Sequence, residues 1–345
     1  MSRGSIRLAT VFLVFFSVFL YGLNAKGGSL SPASPGTGDQ EVPDAPMDSL
    51  TILLSWNTRS ELDPCACPLK PSGGLSRRAS IIRYERMLNS NLLLLDAGRI
   101  VDRDDFSSRL KIYENLKVLK YLGYAAVGIS LFDLRFGKAF WKDVSHRSLL
   151  PLLSANLLSR TGQYSAQPFV IKQVGKFNVG VVGITGFSGF IPAEVDSTIR
   201  SDWVFLNPVE ISKDVISSIR EEVDIIILLS DLSGSANKHL VEVVEGIDIL
   251  ISSATADAFR DIWGDDVEKR FGPPQFQLRV GNTYLYNSSV LGHGGERLGK
   301  IVLKFDDGRK IVQANSGLIE IDENIENDEK VDAMLAEVRK KLNPK

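Results

Sequence analysis

Two cysteines, Cys65 and Cys67, are the chain's full sulfhydryl complement, and they stand one residue apart in "LDPCACPLKPSGGLSRRAS", residues 62–80. Pro64 and Pro68 fence the pair, which limits the turn and holds two sulfurs close at low entropic cost. The chemistry open to such a pair is dithiol/disulfide exchange, or capture of a soft ion such as Cu(I). A bond across one intervening residue closes a very small ring, gives little chain-entropy stabilisation and is strained, which makes it labile and oxidising. Arg59, Lys70, Arg77 and Arg78 stand near enough in sequence to favour a thiolate. The structural alternative, a turn-stapling disulfide or two inert thiols, stands beside the redox reading. The "RRAS" run itself reads as a solvated helix start.

The elements that must position these residues show in the hydrophobic pattern. "LTILLSW", "NLLLLDAG", "YAAVGIS", "LPLLSAN", "FNVGVVGITG", "VDIIILLSD" and "IDILISS" are short apolar runs bounded by turn residues, which marks buried strands. Between them "GLSRRASIIRYERMLN", "SRLKIYENLKVLKYLG", "PVEISKDVISSIREEV" and "NKHLVEVVEG" repeat apolar residues at three- and four-residue spacing, which predicts amphipathic helices. Strand–helix alternation predicts an α/β layered domain. The pattern then turns all-β through "TYLYNSSVLG", "RLGKIVLKFDDGRKIVQA" with a hairpin turn at Asp307-Gly308, and "GLIEID". "NDEKVDAMLAEVRKKLNPK" closes the chain as a helix, acids early and bases late.

The N-terminus is of another kind. Arg3 and Arg7 precede an apolar run from Leu8 to Leu23, about 16 residues and about 24 Å as a helix, short of the ~30 Å hydrocarbon core. Residues 1–25 are expected to be a signal peptide cleaved after Ala25, or an uncleaved signal anchor. Residues 26–48, rich in Gly, Ser and Pro, read as a disordered linker. Both readings send the rest of the chain to a bacterial periplasm or the outer face of the inner membrane, where a disulfide is permitted. A formal charge of −2, with no long basic run, speaks against a nucleic-acid partner.

In open α/β sheets ligands sit past the carboxyl ends of strands. Those positions are Asn57–Arg59, Asp96–Arg99, Ser130–Asp133, Ser230–Ser233 and Ser252–Asp257, and no cluster of metal ligands occurs among them. His239 falls in a predicted helix, and His146 and His293 fall in predicted loops. "GHGGERLG" reads as turn chemistry rather than a phosphate cradle.

From Leu50 to Asp322 the chain resembles the N-terminal domain of the 5'-nucleotidase / UDP-sugar hydrolase family of metallophosphoesterases. "ELDPCACP…GGLSRRASII" is similar to the family's glutamate-proline segment and Gly-Gly-Leu-Ala-Arg-Arg helix start. "NLLLLDAG", "LKYLGYAAVGISLFD", "LLSANLL", "KFNVGVVGITG", "VDIIILLSDLS", "GIDILIS" and "LGKIVLKFDDG" follow in the family's order. The resemblance implies a four-layer αββα sandwich, two mixed sheets packed face to face with helices outside, over residues 49–322, followed by a C-terminal helix over 323–345. It also implies a dinuclear metal centre, and here every ligand position holds another residue. The Asp-x-His after the first strand falls on Asn57 and Arg59. The bridging Asp falls on Arg99. The Asn and His of the Gly-Asn-His-Glu motif fall on Ile129 and Ser130, and the later histidines on Asp231, Ala254 and Ala256. Asp133 stands where the catalytic histidine's carboxylate partner belongs. The chain also resembles an exported Cys-x-Cys branch with selenocysteine-containing members, with Ala66 in place of its usual Gly. The family's second domain, which supplies aromatic stacking for substrate, lies past the length matched here.

The expectation is an exported, catalytically degenerate module with no metal or cofactor, whose Cys65/Cys67 loop is redox-active or binds a soft ion. A thiol/disulfide partner protein, or tethering through the N-terminal segment, fits that reading. Arg59 and Arg99 are expected either to hold an anion bidentately or to form salt bridges with Asp96, Asp133 or Asp231. Asp96 and Asp133 are read as retained carboxylates that orient backbone. The alternative is a residual phosphoesterase using Asp96, Asp231 and Asp257.

Overall fold

β1, Asp48–Ser55, shows how the apolar runs work. Its side chains alternate between two buried surfaces: Leu50, Ile52 and Leu54 enter one core and Leu53 another. Both faces are covered, so the strand reads as a continuous apolar run rather than an alternating one. Each fully buried aliphatic side chain contributes about 1.5–3 kcal/mol. In the computed structural model, residues 48–65, 71–102, 105–148, 150–162, 166–186, 193–253, 277–292 and 294–342 are described. All of them fall in one compact unit, Pro46–Lys345.

The other strands are β2 Leu92–Asp96, β3 Ala126–Gly128, β4 Leu152–Leu153, β5 Leu157–Ser159, β6 Phe169–Val174, β7 Phe177–Ile184 and β8 Trp203–Phe205. They continue with β9 Ile225–Ser230, β10 Ile249–Ser252, β11 Gln277–Val280, β12 Thr283–Asn287, β13 Arg297–Phe305 and β14 Ile311–Glu320. One mixed sheet has the order β14-β13-β1-β2-β3-β4, the second β11-β12-β10-β9-β7-β6, and β5 pairs with β8. In the first sheet β1 to β4 run parallel and β13 is antiparallel to both β1 and β14. In the second, β7, β9, β10 and β12 run parallel with antiparallel β6 and β11 at the edges.

The two sheets meet over one buried apolar core. The first sheet gives it Leu50, Ile52, Leu54, Leu93, Leu95, Ile301 and Leu303. The second gives it Val179, Val181, Ile227, Leu229 and Ile251. Helices cover both outer faces. α1 Leu75–Leu88, α2 Phe106–Leu122, α3 Gly137–Ser148 and α7 Glu329–Leu342 share a core with Leu53, Leu94 and Val127 of the first sheet, joined by Ile199 of α4 Ala193–Asp202. α5 Pro208–Ile219 and α6 Gly234–Val243 cover the second sheet through Ile216, Ile219 and Leu240. The result is an α/β sandwich of two mixed sheets with flanking helices.

Several elements differ from the sequence reading. The closing helix begins at Glu329 rather than 323, and Val331, Leu335 and Val338 are buried in the core, so it belongs to the helical layer. "GRKIVQA" and "GLIEID" form one strand, β14, rather than two. Asp48 opens β1 instead of ending a linker. His146 lies in α3, exposed, not in a loop. β6, β8, β11, α3 and α4 have no counterpart in the hydrophobic pattern. Among the described residues no helix is long and apolar enough to cross a membrane, and residues 1–47 lie outside them.

Candidate functional site

The carboxyl ends of β1 and β2 run into backbone that few side chains tolerate. Asn57, Arg59, Ser60 and Arg99 have φ of 50°, 51°, 50° and 60°. Left-handed non-glycine residues cost on the order of 1 kcal/mol each and persist only when their surroundings over-determine them. Here the surroundings do so. Asn57 N–H donates to the Gly98 carbonyl (3.0 Å), Arg59 N–H to the Arg99 carbonyl (3.3 Å) and Gly294 N–H to the Asn57 carbonyl (3.0 Å). Ser60 Oγ donates to the Ile100 carbonyl at 2.8 Å.

Three carboxyl groups hold this frame from beneath. Asp96 accepts from Ser55 Oγ (2.6 Å) and Gly98 N–H (2.8 Å). Burial pushes its carboxyl up to about 6, against those hydrogen bonds. Asp133 accepts from the N–H groups of Arg99, Val101 and Ser130, each at 2.9 Å, and burial raises it despite them. Asp231 accepts from Leu131 N–H (2.6 Å) and Ser253 Oγ (2.8 Å). Burial pushes it up to about 8, so it is mainly protonated at neutral pH.

Arg59 and Arg99 are joined through the backbone, Arg59 N–H to the Arg99 carbonyl, and their charges act on each other. Burial, then the facing Arg59 charge, holds the Arg99 guanidinium below its ordinary value. Arg99 lies over Phe132 at 4.4 Å and Trp56 at 6.0 Å from the ring centres. Arg59 Nε donates to Asn57 Oδ1 at 3.3 Å, and Asn57 Nδ2 to the Gly292 carbonyl at 3.3 Å. Among the described residues neither guanidinium forms an ion pair with Asp96, Asp133 or Asp231. The salt bridges that the sequence allowed are therefore not made.

Ile129 presents an apolar side chain to the helix-side core, and its carbonyl accepts from Thr185 Oγ1 at 2.6 Å. Ser130 is buried beside it. Ala254, Ala256 and Asp257 lie outside the described residues, as do Cys67, Lys70 and His293. Cys65 is half-buried; its N–H donates to the Ser72 carbonyl (2.9 Å) and its sulfur accepts from Ser72 N–H (3.3 Å). Gly73 follows with φ 78°, where a Cβ would stand 2.8 Å from the Gly294 carbonyl oxygen. That close approach seats Gly73 beside the Asn57 turn.

Arg78 corrects the reading of "RRAS" as a solvated helix start. Its side chain is fully buried, and its charge acts on Asp96 and Tyr124. Arg77 Nη1 is committed to the Pro71 carbonyl at 2.8 Å. Sequence reasoning also missed Trp56 and Phe132 as platforms for Arg99. The available signal was an aromatic residue directly after β1 and another inside "ISLFD".

No family model matches the chain. A snake venom 5'-nucleotidase from Gloydius brevicauda is 25% identical over 288 residues, covering 78% of this chain and 46% of that protein. A 5'-nucleotidase precursor from Thermus thermophilus superposes with a TM-score of 0.68 at 18% identity, over 86% of this chain and 59% of that one. The calcineurin-like phosphoesterase YfkN from Bacillus subtilis gives 0.64 at 19%, over 86% and 98%. The chain's neighbours in sequence and in fold are 5'-nucleotidases and calcineurin-like phosphoesterases. It spans about half the length of the venom 5'-nucleotidase. The dinuclear metal centre of a 5'-nucleotidase-like fold does not fit the side chains described here. Two positions hold guanidinium groups, which repel a divalent cation. Among the described residues no three His, Cys, Asp or Glu side chains gather as a metal site.

Proposed function

We propose that this chain is an exported, catalytically degenerate 5'-nucleotidase-like module that binds an oxyanion at its strand ends instead of hydrolysing a phosphoester. The reading is supported by the backbone pairing of Arg59 with Arg99 and the action of the Arg59 charge on the Arg99 guanidinium, with no ion pair from a carboxylate to either among the described residues. Two guanidinium forks match the oxygens of phosphate or sulfate bidentately. Phe132 and Trp56 hold the Arg99 plane in place, so little side-chain entropy is lost when an anion binds. Burial raises the Asp231 carboxyl to about 8, which weakens its compensation of the Arg99 charge at neutral pH.

Export rests on the Arg3–Ala25 segment and agrees with a relative found in venom. The Cys65/Cys67 pair is proposed as a redox-active or soft-ion-binding loop at the rim of the same site. Its support is the spacing of the pair and the packing of Gly73 against Gly294 beside Asn57. The test of lost catalysis is metal analysis of the purified chain, with assays on nucleotides, UDP-sugars and bis-p-nitrophenyl phosphate in added Mn²⁺, Zn²⁺ or Co²⁺. The expected result is no stoichiometric metal and no turnover. Two tightly held metal equivalents, or turnover lost in Asp231→Ala, would overturn it.

A further inference from the structure

The opposite ends of the strands carry a second basic cleft, of about 640 Å³, lined by both sheets. Arg220, Asp224, Asp248, Arg279 and Tyr284 come from the second sheet and its α5 edge, and Arg309 and Lys310 from the β13–β14 hairpin of the first. Asp224 and Asp248 directly precede β9 and β10. Six residues of β9 therefore separate the cleft from Asp231, about 20 Å along the strand.

The two carboxylates are already engaged. Asp248 Oδ2 accepts from Arg220 Nη1 (2.8 Å) and Ile226 N–H (2.7 Å). Asp224 accepts from Asn178 N–H (2.8 Å) and Arg309 Nη1 (2.7 Å). Arg220 also donates to the carbonyls of Gly246, Val223 and Asp224, so it is a fixed strut. Arg309 is held in a left-handed conformation, φ 60°, with its ion pair bridging the two sheets. Arg279 lies over the Tyr284 ring at 5.0 Å and spends only Nε, on the Gly281 carbonyl (3.2 Å). Among the described residues no carboxylate pairs with the side chain of Arg279 or Lys310. Four cationic side chains thus face two committed carboxylates.

We propose that this cleft is a second anion site, distinct from the Arg59/Arg99 site, which takes a compact multivalent phosphate such as the diphosphate group of a small soluble ligand. Arg279 of the second sheet and Arg309 of the first offer planar donor forks to separate phosphate oxygens, and Lys310 adds a point charge. The volume lies within the range of ordinary small-ligand pockets.

The probe is sodium pyrophosphate, titrated calorimetrically into the full chain. Arg279→Ala/Lys310→Ala should weaken one binding event roughly tenfold or more, whereas Arg59→Ala/Arg99→Ala should leave that event unchanged. Arg279 and Lys310 are exposed, so the double variant should keep the parent's circular dichroism. Charge reversal by Lys310→Glu should also weaken the same event. Pyrophosphate binding unaltered by Arg279→Ala/Lys310→Ala, binding abolished by Arg59→Ala/Arg99→Ala alone, or no binding at all would overturn the proposal. A titration showing the Arg279/Lys310-dependent event but none dependent on Arg59 and Arg99 would count against the proposed function and leave this cleft standing.

Discussion

Asp231 is a residue whose protonation the fold changes. Folded, it keeps its proton up to about pH 8, against an ordinary value of 3.8. Between those values the folded chain binds more protons than the unfolded chain, so stability falls as pH rises and this contribution is gone above pH 8. Asp231→Asn keeps one acceptor for Leu131 N–H and can donate to Ser253 Oγ, but it cannot ionise. Its thermal midpoint should therefore depend less on pH than the parent's between pH 4 and 8, with a relative gain above pH 8. Parallel curves for parent and variant would contradict the assignment. Gly295 gives a steric prediction at the same scale. Its φ is 72°, and a Cβ there would stand 1.9 Å from Arg78 Nη2. Gly295→Ala should cost about 2 kcal/mol or more in urea unfolding, through backbone strain and displacement of a buried guanidinium.

Among the elements, the junction of β2, β3 and the 3-10 turn Leu131–Phe136 depends on one carboxyl. Asp133 takes the N–H groups of Arg99, Val101 and Ser130. Asp133→Ala strands three donors, two of them in buried bonds, and should cost about 3 kcal/mol. A loss under about 1 kcal/mol by chemical denaturation would show that water replaces the carboxyl. The β1, β2, β7, β9 and β10 runs were legible because both faces of each are buried and the apolar signal is unbroken. β6 was not, since it is an edge strand with alternating exposure, and β8 spans three residues. α3 starts at a glycine and carries His146 and Arg147 on its exposed end, which hides its apolar face in a short window. The strand-end positions of Arg59 and Arg99 could be read from order along the chain. Their relation to Phe132, to Trp56 and to a protonated Asp231 could not, because it depends on contacts between separate strands.

The whole molecule shares the layered fold of its neighbours. On the proposed function, Arg59 and Arg99 meet directly, by guanidinium, the anion that a dinuclear centre would have clamped. The most direct measurement is calorimetric titration of inorganic phosphate into the full chain and into Arg59→Ala/Arg99→Ala, each also carrying Arg279→Ala/Lys310→Ala to silence the distal cleft. One phosphate-binding event is expected in the protein that keeps Arg59 and Arg99, and its loss in the one that lacks them. Equal phosphate binding by both proteins, or none by either, would contradict it.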